Sequence, residues 1–172
     1  FAGNNIHTSS GTNPRELYQK IGQTSAAMNT VRAALAIAAL RGFTPKVRDA
    51  TQAYIQAVID KEGRPRTWVR LPKAWWPDHW YDASGVPLYY DPVVVLVRAL
   101  YGHPESGALW DRHLRVILVR LRWRRVESHP GLYVHEVTMA VLVVYVDDLL
   151  LAAPPAEEAR LWAEIEKHVS FG

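Results

Sequence analysis

The chain has 172 residues, 49% of them hydrophobic, which is enough for one domain with a buried core and excludes a disordered chain. Lys plus Arg number 20 against 17 Asp plus Glu, and this net charge of +3 is only a weak hint of an anionic partner. The absence of cysteine excludes disulfides and thiolate zinc sites, and no apolar run reaches the length of a membrane span.

Residues Phe1 to Pro14 are polar and rich in Gly, Asn and Ser, and read as loose. A short helix is expected at Arg15 to Gly22. A stronger one spans Thr24 to Arg41, with Met28, Val31, Leu35 and Ala38 at helical spacing and Gly42 as its stop. Lys46 to Ala50 suits a short strand, and Ala53 to Ile59 a turn or short helix. Trp68 to Leu71 alternates like an edge strand and ends at Pro72. Lys73 to Pro92, rich in Trp, Tyr, Pro and Asp, reads as an ordered surface loop; its aromatics suit mutual packing or base stacking. Val93 to Val97 is a β-branched strand. Ser106 to Leu121 is an amphipathic helix with Trp110, Leu114, Ile117, Leu118 and Leu121 on one face. Pro130 to Val134 and Met139 to Val146 make a hairpin, Leu149 to Ala153 a further strand, and Pro155 opens a last helix with Glu157 and Glu158 in its first turn. The order argues an α+β fold: a small antiparallel sheet with the helices packed on one face. The chain ends right after a helical pattern and reads as a piece of something longer.

Two strings carry the chemistry. Ala140 to Ala153 places Asp147 and Asp148 between two apolar strand-forming runs, at the tight tip that joins them. Asp-Asp is ordinary turn chemistry. It is also a pair of like charges that repel unless a cation neutralises them, and oxygen donors suit magnesium or manganese. Val47 to Tyr54 puts a third carboxylate, Asp49, at the end of another short strand, with an aromatic five residues later. Carboxylates from neighbouring strands can hold two metals roughly 3.5–4 Å apart, clamping the attacking and leaving oxygens of a phosphoryl transfer. The histidines are scattered with no helical ligand spacing, which argues against zinc. Arg112, Arg115, Arg120, Arg122, Arg124 and Arg125 crowd into one stretch, either a solvated helix face or a set of phosphate contacts.

Tyr145-Val146-Asp147-Asp148 resembles the catalytic box of reverse transcriptases, and Asp49 to Tyr54 their first catalytic motif, Asp-x-x-x-Ala-Tyr/Phe. Trp68-Val-Arg-Leu-Pro72, Leu96-Val-Arg-Ala-Leu-Tyr-Gly102 and the following Trp110 are similar to copia-type retrotransposon polymerases, in the same order. The resemblance covers Met28 to Gly172. It implies a palm core at residues 24–172 without a thumb, preceded by an incomplete fingers remnant at 1–23. It implies two magnesium or manganese ions on Asp49, Asp147 and Asp148, with the Ala50 carbonyl as a further ligand. Tyr54 would be the steric gate against a ribose 2′-hydroxyl. Tyr101, Gly102 and Glu105 would face the nucleotide, Tyr145 and Val146 the primer end. Arg112, Arg115 and Arg122 are the expected contacts to the nucleic-acid backbone.

Its implied partners are an RNA template, a DNA primer and deoxynucleoside triphosphates, with no membrane. Fingers, thumb and ribonuclease H segments belong to the parent polyprotein, in a cytoplasmic particle or the nucleus. One departure stands out: where the family has Gly-Leu-Lys-Gln, this chain has Gly102-His103-Pro104-Glu105, an acid where a Gln meets the nucleotide. The alternative to an active RNA-directed DNA polymerase is an inactive relic that at most binds nucleic acid.

Overall fold

The structure, a computed structural model, describes residues 26–59 and 66–172. The expected helix at 15–22 and the expected fingers remnant at 1–23 lie outside the described residues. The strands in chain order are β1 (Lys46–Asp49), β2 (Trp68–Arg70), β3 (Val93–Val95), β4 (Trp123–Arg125), β5 (Leu132–His135), β6 (Val141–Tyr145) and β7 (Asp148–Ala152). The helices are α1 (Met28–Arg41), the single turn α2 (Ala53–Gln56), α3 (Ser106–Arg120) and α4 (Pro155–Glu166). They fall into two compact units: the described residues up to Val58 with Ala99–Gly172, and Ile59–Arg98.

The first unit is built on a 5-stranded sheet in the order β1-β7-β6-β5-β4, antiparallel at every step. The sheet follows from the sequence pattern. β6 and β7 are β-branched and leucine runs joined by a two-residue turn, and β5 returns on β6 across the short loop at residues 136–140. Pro155 opens α4, and its missing N–H falls where a helix needs none. Gly42, at φ +67°, closes α1; its N–H and that of Phe43 bond the carbonyls of Ala39 and Ala38.

The helices cover both faces of the sheet, not one. α1 packs through Ala34, Val31 and Ile37 on the face that shows Leu132, Val141, Val143 and Leu150. The residues between these point the other way. There Tyr133 lies in the field of Asp111 and Arg115 of α3, and His135 in that of Arg160 and Glu164 of α4. Arg48, opposite Leu149, pairs with Glu166 of α4 and holds its guanidinium 4.8 Å from the Trp162 ring centre. The reason is in β6, where Val141, Leu142, Val143 and Val144 are buried in succession; a strand dry on both faces needs cover on both.

α1 turns inward a face that matches only in part the one its spacing suggested: Val31 and Ala38 pack as expected, Met28 and Leu35 do not. Thr30, Ala34 and Ala38 are buried, whereas Met28 is 64% and Leu35 41% exposed. Small side chains bring the helix close to β6, and that contact outweighs the burial of two larger residues. β4 was not foreseen. Trp123-Arg124-Arg125, beyond the expected helix end at Leu121, forms this edge strand, where Trp123 is buried and pairs with His135 of β5.

In the second unit, β2 and β3 pair antiparallel, Trp68 opposite Val95 and Arg70 opposite Val93. The aromatic loop between them is ordered by its own rings. The Trp76 ring lies 5.9 Å from Trp80 and 6.3 Å from Tyr81, and its indole N–H donates to the Leu71 carbonyl at 3.0 Å. Among the described residues, no helix is long and apolar enough to cross a membrane.

Candidate active site

The two acid-bearing strings meet at one end of the five-stranded sheet. β1 pairs with β7 so that Asp49 stands opposite Asp148, and β6 pairs with β7 so that Tyr145 stands opposite Asp148 on its other side. Val146 and Asp147 form the turn between β6 and β7. The Asp147 carbonyl accepts the Ala50 N–H at 2.8 Å, which ties the turn to the chain just beyond β1. Asp49 and Asp148 are exposed, Asp147 half-buried, and Ala50 buried at 1% exposure.

The turn is held in a demanding conformation. Two-residue hairpin turns need positive φ at the first position, where Gly or Asn is usual. Here that residue is Val146, at φ +57°, a β-branched side chain in a region such residues avoid. Its carbonyl accepts the indole N–H of Trp110, at 2.6 Å from α3.

α2 carries Tyr54 to the same end. The ring is half-buried and lies 4.6 Å, centre to centre, from that of Tyr101, tilted by 47°. Tyr101 is half-exposed, and its hydroxyl is held above its ordinary range first by burial, then by the charges of Asp147, Tyr54 and Asp49. Asp147, from the turn, and Asp49, from β1, therefore act on one point. Gly102 follows at φ +87°, a turn that only glycine makes without strain.

Glu105 is buried at 7% exposure, directly before α3, so the family Gln position does not present an open acid to solvent. Its charge acts on His103, opposing the downward push that burial gives the imidazole. The Nδ1 of His103 accepts the Glu105 N–H at 3.3 Å, and the Ser106 hydroxyl donates to the Leu100 carbonyl at 2.6 Å. Tyr145 is 53% exposed beside Asp148. Arg112 and Arg115 lie on α3, and Arg122, at φ +63°, in the turn to β4; all three are on the surface.

The acids form an oxygen-only donor set, the chemistry that suits a hard divalent cation. Among the described residues, no three His, Cys, Asp or Glu side chains are gathered as a ready ligand shell, and the ion pairs involve other residues than Asp49, Asp147 and Asp148. The spacing of the motifs could not reveal Trp110's bond to the turn. Its place on an apolar stripe marked it as core, and it is core as well.

Over residues 10–167 the chain matches the family described as reverse transcriptase (RNA-dependent DNA polymerase). It is 34% identical over 84 residues to a putative transposon Ty5-1 protein of Saccharomyces cerevisiae, an alignment that covers 47% of this chain and 27% of that protein. No solved structure matches the chain significantly.

Proposed function

The chain belongs to the reverse transcriptase (RNA-dependent DNA polymerase) family, and on that premise we propose that it is the palm of a copia-type retrotransposon polymerase that adds deoxynucleotides to a primer 3′-hydroxyl on an RNA template. The observation that carries the proposal is the meeting of Asp49 with Asp148 in register, with Asp147 bound through its carbonyl to Ala50. The register brings Asp49, distant in sequence, beside Asp148, which supports a shared site at this end of the sheet. Asp49, Asp147 and Asp148, with the Ala50 carbonyl, would hold magnesium or manganese, which neutralises charge at the attacking and leaving oxygens of nucleotidyl transfer.

The protein's own part is positioning. Tyr54 and Tyr101 form a ring wall beside the acids. In this reading Tyr54 fills the volume that a ribose 2′-hydroxyl would need, and selects the deoxy sugar by clash. Tyr145, exposed next to Asp148, supports the primer end with Val146. Gly102 lets the chain turn close to the nucleotide. Arg112, Arg115 and Arg122 offer phosphate contacts, which position without reading sequence.

A second reading, an inactive relic that at most binds nucleic acid, draws on the open arrangement of the acids and on Glu105 in the place of Gln. Primer extension on an RNA template with manganese at low salt, beside an Asp147→Asn control, separates the two. Template-directed extension by a polymerase carrying this palm, lost in the control, supports the enzyme. Equal, salt-sensitive binding with no extension in either supports the relic.

A further inference from the structure

We infer that Trp110 is the positioning residue of the carboxylate turn: its indole N–H fixes the Val146 carbonyl and so sets where Asp147 and Asp148 stand. The inference deepens the proposed function and rests on it only for its consequence in metal binding. Val146 occupies a positive φ of 57° with a β-branched side chain, a state that persists only where the surroundings over-determine it. Two bonds do so from two separate segments. Trp110 donates to the Val146 carbonyl at 2.6 Å, and Ala50 donates to the Asp147 carbonyl at 2.8 Å. The first comes from α3, the second from the chain after β1, so the turn is pinned between a helix and an edge strand.

Trp110 is suited to this in a way that another apolar residue is not. It is 2% exposed, so its N–H is shielded from water while the half-buried turn supplies the acceptor. The helix that carries it is anchored along its length by Leu109, Leu114, Ile117 and Leu118, all buried. A buried indole N–H needs an acceptor, and the one it finds is the carbonyl of the strained turn residue. Trp110 therefore links the packing of α3 to the acids, through the backbone rather than through a side chain.

The test is Trp110→Phe, which keeps the aromatic ring and removes the donor. Amide hydrogen exchange of the metal-free chain reads the turn directly. In the variant, amides of residues 145–149 should exchange about tenfold faster, the scale of one lost buried hydrogen bond, while the β4–β5 pairing stays protected. Leu118→Ala, a cavity two turns further along α3, should speed exchange broadly with no preference for the turn. Manganese binding, followed by its electron paramagnetic resonance, should weaken several-fold in Trp110→Phe. Unchanged exchange at 145–149, or a rise no greater there than in Leu118→Ala, overturns the inference. If the wild-type chain binds no manganese, the metal reading of the site fails, and the exchange data alone decide the role of Trp110. If Trp110→Phe does not fold, the wild-type indole proton decides. Slow exchange of that proton supports the inference, and exchange as fast as at an exposed Trp overturns it.

Discussion

Asp49 and Asp148 are direct cross-strand partners, on β1 and β7, although most of the chain lies between them in sequence. Like charges directly opposite on neighbouring strands are destabilising. Asp147 adds a further carboxylate at the turn, half-buried. The arrangement therefore costs stability unless a cation relieves it.

Magnesium or manganese should accordingly stabilise the fold. A ligand bound only by the native state adds about 2.7 kcal/mol at a hundredfold excess over its Kd. Thermal unfolding with and without manganese measures the gain, and Asp147→Asn should remove most of it. A Tm that metal leaves unchanged in both proteins would count against the site.

Tyr54→Val should open the space that the Tyr54 ring fills beside Tyr101. In a polymerase carrying this palm, discrimination against ribonucleotides should fall by about tenfold or more, the scale of one close steric contact. Deoxynucleotide use should fall less. Single-nucleotide incorporation kinetics with both sugars measure this, and equal losses would reduce Tyr54 to packing.

Acid should weaken the fold through His103 and His135. Burial lowers the pKa of both imidazoles, foremost among the causes for each. Each Nδ1 also accepts a backbone N–H, from Glu105 and from Thr138, which only an unprotonated nitrogen can do. A folded pKa below the unfolded value of about 6.5 means that the unfolded chain binds more protons in the window between them. The stability is whole above about pH 6.5 and is lost as pH falls from there to the folded value. Urea midpoints at pH 7.5 and 5 should show the drop, and His103→Asn with His135→Asn should flatten it.

Gly131→Ala should be among the most damaging small substitutions. Gly131 has φ +76°, and an added Cβ would lie 2.6 Å from the Val144 carbonyl oxygen and 2.7 Å from the Ala26 nitrogen. Both are backbone atoms, and Ala26 and Val144 are themselves joined by a hydrogen bond of 3.1 Å. A loss of about 2–4 kcal/mol is expected from strain and clash together, visible as a lower urea midpoint. A change under about 0.5 kcal/mol, the range of an ordinary surface substitution, would contradict the packing at this crossing.

The sequence by itself determined much of the local structure. Alternating and β-branched runs set β6 and β7, Pro155 and the acids after it set the start of α4, and Gly42 the end of α1. Asp49, Asp147 and Asp148 were legible as candidates, because two acids at the tip of two apolar runs and another after a short strand are local patterns. Only the tertiary structure decided what depends on contact between distant segments. The register that sets Asp49 against Asp148, the bond from Trp110 to Val146, and the burial of Glu105 are of this kind. So is the inward face of α1, where Thr30 and Ala34 join Ala38 in place of Met28 and Leu35 because the closeness of β6, not hydrophobicity alone, selects the side that packs. Period and propensity report what one segment prefers; the partner, its register and the room it leaves enter only when the chain is folded.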